Sequence, residues 1–407
     1  MTLSNKHILI GISGGIAAYK IPELIRLLVK AGAEVRVATT RNALQFVTET
    51  TLQTLSGHSV YSDVFASINA HATEHISLPE WCDAMIVAPA TANVLAKTAA
   101  GIADDALTTT ICSCITRKPI LFAPAMNDKM WENPATRQAI KTIRSWENVR
   151  VIEPEEGPLA CGTCGKGRMP EPEELCEAVH YLLEPQSLAG QRILITAGGT
   201  QEKIDPVRFI SNYSTGKMGL ALAHACARRG ADVTLVCGAV SAPLYDPFGR
   251  IHRVDALSAQ AMYEACTDLW PQMNKAILCA AVADFAPANE ATQKIKKDSG
   301  VRSQESGLTL SLKETQDIAR ALGETKRADQ QLVGFALETE HEKENALHKM
   351  ERKNLDAIVL NSLRDKGAGF GTDTNLVTIL QSDGKETPLP LQSKELISAE
   401  ILRVLFS

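Results

Sequence analysis

Short apolar runs alternate with segments of helical periodicity along the first half of the chain. Residues 7–10 (HILI) form one apolar run, residues 17–29 place apolar side chains at helical spacing, and residues 34–38 (EVRVA) form the next run. A strand, a helix and a second strand within about 30 residues require a crossover connection. The pattern therefore predicts a parallel sheet that begins near the first residues of the chain.

Two further apolar runs in this half predict buried strands, at residues 84–88 and 120–123. Pro89 follows the first run and Pro124 follows the second, and polar residues come next in both places. Open α/β sheets bind ligands outside the carboxyl ends of their strands. We therefore expect the loops that follow these strands to contribute to a binding site.

The second half opens a parallel sheet again. Strands are predicted at 192–196, 232–236, 276–279, 332–335 and 357–359, a helix at 216–229, and a final strand pair and helix from Thr372 onward. Residues 184–191 have no periodicity and contain Pro, Gly and Ser, which is typical of a linker. The predicted fold is α/β, with two Rossmann-like three-layer domains, residues 1–185 and 191–407, and a linker at 186–190.

Composition narrows the class of protein. The chain has 407 residues, 45% of them hydrophobic and 22% charged, with a net charge of −5. This mild acidity argues against nucleic acid and anionic membrane surfaces as partners. We find neither a secretory signal nor an apolar stretch of about 18 residues, and the ten cysteines do not form a disulfide framework. We expect a cytoplasmic protein with reduced thiols.

The first glycine-rich loop, residues 11–15 (GISGG), lacks the spacing of a dinucleotide fingerprint. That fingerprint needs G-x-G-x-x-G and an acidic residue after the second strand, whereas Thr39 and Thr40 stand at the end of this one. Small residues and hydroxyls suit a single terminal phosphate held by backbone N–H groups. A mononucleotide site and a tight turn without a ligand both remain open on spacing alone.

Other candidate residues follow strands or lie in a glycine-rich segment. The loops 89–93 (PATAN) and 124–131 (PAMNDKMW) each resemble a capped helix start when taken singly, and His75 alone is an ordinary histidine. Residues 160–169 (ACGTCGKGRM) surround Cys161 with glycines and are typical of a lid over a site. Because the two loops are expected at one sheet edge beside the first glycine loop, a concave site there is favoured.

Together these motifs carry a resemblance. In their order, GISGG, His75, PATAN, PAMNDKMW and ACGTCGKGRM resemble the flavin-dependent cysteine decarboxylase family. The second half, with DPVRFISNYSTGKMG at 205–219, AAVAD at 280–284, KIKK at 294–297 and RKNLD at 352–356, resembles phosphopantothenate–cysteine ligases. The two halves on one chain resemble the bifunctional bacterial enzymes of coenzyme A biosynthesis over nearly the whole length.

For the first domain the resemblance implies a flavodoxin-like fold that binds FMN and decarboxylates 4′-phosphopantothenoylcysteine to give 4′-phosphopantetheine. His75 would act as a base near the substrate thiol, Asn127 would hold the carboxylate, and Cys161 would protonate the enethiol. The flavin would supply the redox chemistry. The expected FMN-binding residues are Gly11, Ser13, Gly14, Gly15, Thr39, Thr40, Thr91 and Asn93.

For the second domain the resemblance implies CTP-dependent condensation of 4′-phosphopantothenate with L-cysteine through an acyl-cytidylate, with Mg²⁺. Lys294 would act at the transferring phosphate, Arg208 and Asn212 would bind the acyl-cytidylate, and Asp284 would also bind the metal. The expected CTP-binding residues are Ala280, Asp284, Lys294, Asp317, Phe335, Lys349 and Lys353. The resemblance also implies homo-oligomers, with trimeric flavoprotein and dimeric ligase contacts that could build a dodecamer.

The chain departs from the family pattern in two places. With Cys161, Cys164 makes a C-x-x-C motif in the lid. The interpretations are an incidental small residue, a pair of zinc ligands, and a lid disulfide with Cys161. Zinc needs about four ligands, and no further ligands are visible near this motif. Residues 313–318 (KETQDI) replace a K-N-P-D-I-like stretch, although Asp317 aligns.

Two other functions are alternatives to the family's reactions. One is a nicotinamide-dependent oxidoreductase, against which the missing ribose carboxylate argues. The other is a regulatory or scaffolding protein.

Overall fold

The computed structural model divides the chain into two compact units. The first comprises Met1–Glu184 and Tyr245–Phe248, and the second comprises Pro185–Leu244 and Gly249–Ser407. The structure describes residues 3–65, 73–158, 162, 164–296, 309–338, 340–362, 369 and 371–406. Each unit is an α/β structure with its own sheet, as the sequence predicts.

The sheet of the first unit has six strands, all parallel, in the order β3-β2-β1-β4-β5-β6. Its strands are β1 (His7–Ile12), β2 (Glu34–Thr39), β3 (Val60–Tyr61), β4 (Ala84–Ala90), β5 (Ile120–Pro124) and β6 (Val149–Val151). Because β1 pairs with both β2 and β4, the strand order reverses beside β1. A crevice therefore opens beyond the carboxyl ends of β1 and β4.

Helices cover both faces of this sheet, and a short antiparallel hairpin follows its last strand. The helices are α1 (Ile21–Lys30), α2 (Glu49–Ser56), α3 (Glu74–Trp81), α4 (Ala92–Ala100), α5 (Ala106–Cys114), α6 (Asp128–Glu132), α7 (Pro134–Arg144) and α8 (Pro172–Leu183). The hairpin strands are β7 (Glu155–Pro158) and β8 (Cys164–Arg168). Its second strand, β8, lies within residues 160–169, which the sequence predicts as a lid.

The side chains of β1 alternate between two apolar layers. Ile8, Ile10 and Ile12 pack in one cluster, whereas Leu9 packs in the other, on the opposite face of the sheet. This alternation follows from the two-residue period of a strand. Both faces are covered, which explains why the strand is one continuous apolar run.

The helix predicted over 17–29 begins differently from the prediction. Residues Ile16–Lys20 form a 3-10 turn, and α1 begins only at Ile21 with Pro22 in its first turn. Proline lacks an N–H group, which a helix can spare in its first turn but not further inside. Pro22 therefore accounts for the late start of α1.

The second unit has an eight-stranded sheet and two small antiparallel pairs. Its strands are β9 (Arg192–Ala197), β10 (Gln201–Lys203), β11 (Phe209–Ser211), β12 (Asp232–Cys237), β13 (Ile251–Asp255), β14 (Lys275–Leu278), β15 (Phe285–Pro287), β16 (Leu312–Glu314), β17 (Gln331–Glu338), β18 (Ala357–Ser362), β19 (Thr374–Gln381) and β20 (Glu386–Ser393). The main sheet has the order β13-β12-β9-β14-β17-β18-β19-β20. It is parallel except at β19 and β20. Because β9 pairs with both β12 and β14, the strand order reverses beside β9.

Five helices complete the second unit: α9 (Lys217–Arg228), α10 (Ala259–Leu269), α11 (Ile318–Glu324), α12 (Glu342–Arg352) and α13 (Lys394–Leu405). Trp270 is buried, and its indole N–H donates to the carbonyl of Leu322 at 3.0 Å. The predicted final strand pair and helix are β19, β20 and α13. Within the described residues, every helix is too short or too polar to cross a bilayer.

Candidate active sites

The first unit has a cavity of about 1070 Å³ beyond the carboxyl ends of β1, β2, β4 and β5. It lies at the crevice that the strand order predicts. Seven of the residues expected to act here line it: Ser13, Gly14, Gly15, Thr40, Thr91, Asn93 and Asn127. The fold therefore brings the first glycine loop and both polar loops to one site.

Ser13 connects two of these loops. It is fully buried, and its hydroxyl lies 2.6 Å from the carbonyl of Pro89 and 3.1 Å from the Thr91 hydroxyl, while the Thr91 N–H donates to it at 3.0 Å. The sequence suggested that this hydroxyl would bind phosphate. In the structure this hydroxyl fixes the loop after β4 beside the loop after β1, and Ser13 also lines the cavity, so its contact with the phosphate stays a prediction.

Close backbone approach explains the glycines at 14 and 15. A Cβ atom on Gly14 would lie 2.6 Å from the Cβ of Asn42, and one on Gly15 would lie 3.3 Å from Thr91. Side chains at these positions would push the neighbouring loops apart. Asn42 and Arg41 also line the cavity, and the sequence analysis missed both. Their position directly after the end of β2 is the signal that could have identified them.

Gly11 and Thr39 are not among the lining residues. A Cβ on Gly11 would lie 2.5 Å from Leu107, so this glycine allows α5 to pack on β1. Its contact with the flavin stays a prediction. Thr39 is fully buried, and its hydroxyl has no hydrogen-bond partner among the described residues. Thr40, one residue later, is the threonine that lines the cavity.

Asn127 caps α6 at the edge of the cavity, where its side-chain oxygen accepts the N–H of Lys129 at 2.9 Å. The preceding residue ties the hairpin to this loop, because the Met126 N–H donates to the carbonyl of Gly167 at 3.0 Å. A Cβ on Gly167 would lie 2.1 Å from the Met126 carbonyl oxygen. The hairpin therefore sits directly against the loop that carries Asn127.

A buried lysine holds the other side of the hairpin. Lys20 is only 9% exposed, and its ammonium donates to Glu171 at 2.8 Å and to the carbonyl of Met169 at 3.2 Å. Arg168 also donates to Glu171. The Lys20 ammonium lowers the pKa of the Glu171 carboxyl, against the opposing effect of burial. Lysine at 20 was not identified from the sequence.

The remaining candidates of the first unit are not placed in this cavity. His75 lies in the first turn of α3, is half-buried, and its Nδ1 has no partner among the described residues. The residues that line the cavity do not include it. Cys161 lies outside the described residues, and so does any bridge from it to Cys164, which is exposed on β8.

The second unit has a cavity of about 1110 Å³, beyond the carboxyl ends of β9, β14 and β17. It is lined by seven of the residues expected for the second site: Asn212, Ala280, Asp284, Asp317, Phe335, Lys349 and Lys353. Arg208 and Lys294 are not among the lining residues. The segment 314–317, which departs from the family pattern, also contributes to the wall.

Two buried threonines shape the loop after β14. The hydroxyl of Thr196 accepts the N–H groups of Cys279 and Ala280 at 3.1 and 3.0 Å, and that of Thr200 accepts the N–H of Ala283 at 3.0 Å. Across the cavity, the Asn212 amide donates to the carbonyl of Ala281 at 3.2 Å. These bonds hold the predicted AAVAD motif beside Asn212.

A half-buried ion pair forms another part of the wall. Asp317 caps α11, and its carboxylate lies 2.8 Å from the ammonium of Lys353, whose side chain is 12% exposed. Although burial opposes ionisation, this ion pair and the Arg320 N–H lower the pKa of Asp317. Burial, assisted by the charge of Lys353, lowers the pKa of the neighbouring Lys349.

Arg208 and the segment that contains Lys294 meet at a separate point. The guanidinium of Arg208 pairs with the fully buried carboxylate of Asp205 and donates to the carbonyl of Ile295 at 2.7 Å. Lys294 itself is exposed, and Lys297 lies outside the described residues. Lys294 is therefore adjacent in sequence to Ile295, which Arg208 contacts, and it does not line the cavity.

The sequence analysis missed the end of this cavity near α9 and α13. Lys217, Asn375 and Lys394 line it there. The buried ammonium of Lys394 donates to the carbonyls of Gly369 and Thr372, and Lys217 pairs with Asp373 at 2.6 Å. Lysines in helix first turns are ordinarily exposed, so the sequence gave no reason to select them.

The expected metal ligand Asp284 is an exposed carboxylate on the cavity wall. Within the described residues, no group of three or more His, Cys, Asp or Glu side chains is arranged to hold a metal ion. Mg²⁺ commonly uses one or two protein carboxylates together with substrate phosphates and water. A single carboxylate on the cavity wall would therefore suffice for that mode of binding.

Two family models match the chain. Residues 1–184 match the model described as Flavoprotein, and residues 188–407 match the DNA/pantothenate metabolism flavoprotein C-terminal domain. The coenzyme A biosynthesis bifunctional protein CoaBC of Bacillus subtilis (strain 168) is 46% identical over 404 residues, which cover 98% of this chain and 97% of that protein. The protein of the same name from Escherichia coli (strain K12) is 42% identical over 403 residues, 99% and 97% of the two chains.

A solved structure is also similar to the second half. The C-terminal domain of a coenzyme A biosynthesis bifunctional protein CoaBC is 38% identical and covers 54% of this chain and 96% of its own, with a TM-score of 0.45. The alignments with these full-length relatives cover nearly the whole chain, including both units. The chain therefore belongs to the CoaBC family of coenzyme A biosynthesis bifunctional proteins.

Proposed function

We propose that the chain condenses 4′-phosphopantothenate with L-cysteine in its second unit and decarboxylates the product in its first. As a CoaBC family member it is a bifunctional enzyme of coenzyme A biosynthesis, with ligase and decarboxylase activities. One observation supports the assignment of one reaction to each unit: each main sheet opens at its own switch point into a cavity that is lined by seven of the residues expected for one reaction. We place these reactions in the cytoplasm.

The first cavity fits FMN in size and lining. Its volume suits a mononucleotide, and Gly14 and Gly15 are among the residues that line it. The Thr91 side chain makes no hydrogen bond to the N–H groups of the helix that it precedes, α4. The N–H groups that begin this helix therefore remain for an anion. Thr40, Asn42 and Arg41 complete the set of groups that would hold the phosphate.

When bound, FMN supplies the two-electron oxidation of the cysteine moiety and its later reversal. Oxidation converts the CH2–SH group to a thioaldehyde, beta to the carboxylate. The C–COO⁻ bond then breaks, because its electron pair delocalises into the thiocarbonyl and leaves an enethiolate. Asn127 holds the carboxylate before it leaves as carbon dioxide. His75 removes the substrate thiol proton, and Cys161 protonates the enethiol carbon as the product forms.

His75 must reach the cavity to play this part. It does not line the cavity of its own chain, and three large apolar side chains at the cavity rim are exposed: Ile16, Tyr19 and Met130. We propose that a homotrimer of the flavoprotein unit covers these side chains and brings His75 of one copy to the cavity of the next. Exposed apolar side chains at a site are typical of such an interface.

In the second cavity the carboxylate of 4′-phosphopantothenate attacks the α-phosphorus of CTP. The bond to pyrophosphate breaks, which leaves an acyl-cytidylate, and the amine of cysteine then attacks the acyl carbon and releases CMP. Lys294 stabilises charge on the transferring phosphate, and Arg208 and Asn212 bind the acyl-cytidylate. Lys349 and Lys353 with Asp317 surround the nucleotide beside Ala280 and Phe335.

Asp284 would hold Mg²⁺ together with phosphate oxygens, and the ion would neutralise charge on the triphosphate. We further propose that dimeric contacts of the ligase unit combine with the trimer in a larger closed assembly, up to a dodecamer. The trimer is formed by the flavoprotein unit and the dimer by the ligase unit, so each contact can be tested without the other.

The first experiment measures the visible spectrum of the purified protein and then assays it with 4′-phosphopantothenate, L-cysteine, CTP and Mg²⁺. We expect a flavin spectrum, FMN rather than FAD on release by denaturation, and CTP-dependent formation of pyrophosphate and carbon dioxide. Lys294→Gln should strongly slow pyrophosphate release alone, to a rate that remains measurable, and Asn127→Ala should abolish carbon dioxide release from supplied 4′-phosphopantothenoylcysteine alone. A folded, colourless protein would contradict the assignment of the first unit.

A further inference from the structure

A single buried carboxylate contacts two of the segments assigned to the ligase reaction. Asp205 is 1% exposed. Its Oδ1 accepts the N–H groups of Val207 and Arg208 at 2.8 and 2.9 Å. Its Oδ2 accepts the Arg208 guanidinium and, at 3.1 Å, the N–H of Ile295. The sequence analysis gave no role to this residue.

Asp205 and Arg208 together bind the backbone of one residue in a distant segment. The carboxylate accepts the N–H of Ile295, and Arg208 donates to the carbonyl of the same residue at 2.7 Å. A second bond holds the segment slightly upstream, where the Ala291 N–H donates to the carbonyl of Ile204 at 3.0 Å. These contacts fix the backbone directly after Lys294, in an otherwise exposed segment.

We propose that Asp205 is a positioning residue for the ligase, which sets the guanidinium of Arg208 and the backbone of Lys294 in fixed relation to each other. The inference rests on the proposed roles of Arg208 and Lys294. It assigns to Asp205 no contact with substrate. One carboxylate would thereby position both Lys294, which acts on the transferring phosphate, and Arg208, which binds the acyl-cytidylate.

The charge of Asp205 is needed for this arrangement. Burying a carboxylate is unfavourable unless it is paired and hydrogen-bonded, and Arg208 with three backbone amides meets that requirement. Although burial opposes ionisation, these donors keep the pKa of Asp205 far below its ordinary value. An isosteric amide would turn its NH2 group toward donors, either the Ile295 N–H and the guanidinium or the two turn amides. In either orientation Asp205→Asn loses the charge that pairs with Arg208 and places an NH2 group against donors, so it weakens the hold on Ile295 while preserving shape.

The test compares wild type, Asp205→Asn and a matched control in the full-length protein. Asp329→Asn is the control, because Asp329 is an exposed carboxylate that pairs with Arg327 of the same unit. We expect Asp205→Asn to lower kcat for CTP-dependent pyrophosphate release roughly 100-fold, since misplacing a reacting group by about 1 Å has effects of that size. KM for CTP should change less than about threefold, and the control should stay within about twofold of wild type.

Two readouts separate positioning from general damage. Hydrogen exchange should be faster in Asp205→Asn for peptides that contain the Ile295 amide and unchanged in β9 and α13. A double-mutant cycle with Lys294→Gln should show strong coupling, because the second substitution has little left to remove once Lys294 is misplaced. Unchanged exchange at Ile295, or additive effects in the cycle, would overturn the proposal.

A conservative variant covers the case in which Asp205→Asn does not fold. Asp205→Glu keeps the charge and moves it by one methylene group, so it should restore part of the protection of Ile295 and part of kcat. The same exchange and kinetic criteria then apply to this variant. If wild type itself releases no CTP-dependent pyrophosphate, the proposed ligase function fails, whereas exchange at Ile295 still decides the structural role of Asp205.

Discussion

At the scale of single residues, Ser13 shows how a polar side chain near a ligand site can serve the protein itself. Its hydroxyl bridges the loops after β1 and β4 and is fully buried. A serine in a glycine loop suggested direct phosphate binding, because the sequence shows the loop but not what lies across from it. The partner Pro89 is 76 residues away, and such pairings have no local signal.

Ser13→Ala should weaken both flavin binding and stability. The substitution leaves the buried N–H of Thr91 and carbonyl of Pro89 without this partner, which costs about 1–3 kcal/mol. Urea unfolding of the first unit and flavin content after gel filtration measure the two effects. Ser113→Ala is the control, since the Ser113 hydroxyl bonds only the carbonyl of Thr109 within its own helix. Equal effects of the two substitutions would contradict the bridging role.

Lys349 provides a prediction about pH. Burial and the charge of Lys353 lower the pKa of Lys349 below its usual value of 10.5. A lysine is cationic below its pKa, so the charge is lost as pH rises through the lowered value. We therefore expect KM for CTP to rise at alkaline pH, below the usual pKa of lysine.

Lys349→Arg keeps the charge to higher pH and should remove this rise, when KM for CTP is measured from pH 7 to 10. Lys343→Arg is the control, because Lys343 is exposed on the same helix and pairs with Glu386. A pH profile that is the same in all three proteins would exclude Lys349 as its origin.

At the scale of structural elements, the hairpin of β7 and β8 depends on one close contact. Gly167→Ala would place a Cβ 2.1 Å from the Met126 carbonyl oxygen, so the hairpin must move away from the loop that carries Asn127. We expect decarboxylation to slow about 10-fold or more, with ligase activity unchanged.

Gly157→Ala is the matched control in the same hairpin, since its Cβ would contact only Arg168, at 3.5 Å. Stopped-flow reduction of the flavin by 4′-phosphopantothenoylcysteine measures the effect in each variant. Equal rates in Gly167→Ala and wild type would show that the hairpin contact does not influence the reaction.

The elements that the sequence predicts well are those with a strong local pattern. The apolar runs at residues 7–10 and 192–196 lie within β1 and β9, and the final pair and helix correspond to β19, β20 and α13. Elements without such a pattern were missed, among them the hairpin strand β7, whose sequence is EEGP. Its formation depends on pairing with β8, which is information about tertiary structure.

The candidate sites follow the same rule. Loops after strands could be assigned to a site because parallel strands end at one edge, and Thr40, Asn93 and Asp317 line cavities accordingly. Asp205 and Lys20 escaped notice because their importance lies in partners 90 and 151 residues away. A motif identifies which residues recur together, but it does not show which of them hold the others in place.

At the scale of the whole molecule, the proposed trimer makes a prediction about mixed assemblies. His75→Asn and Asn127→Ala should each abolish decarboxylation while leaving the ligase active. If each site takes His75 and Asn127 from neighbouring copies, random mixing of the two variants restores about a quarter of the sites. Carbon dioxide release after the variants are dissociated together and reassembled measures this recovery. A mixture as inactive as its components would show that both residues act from one chain.

The placement of both cavities beyond the strand ends also bears on how such an enzyme can be altered. In the first unit the strands are buried on both faces, whereas the cavity is formed by short loops at residues 13–17, 40–42, 91–94 and 125–127. Substitutions confined to those loops, apart from Ser13 and the glycines, leave the interior contacts in place. A library of loop variants should therefore stay folded in large part while its members differ in how tightly they bind FMN. Ligand binding and folding can accordingly diverge at separate rates in this architecture.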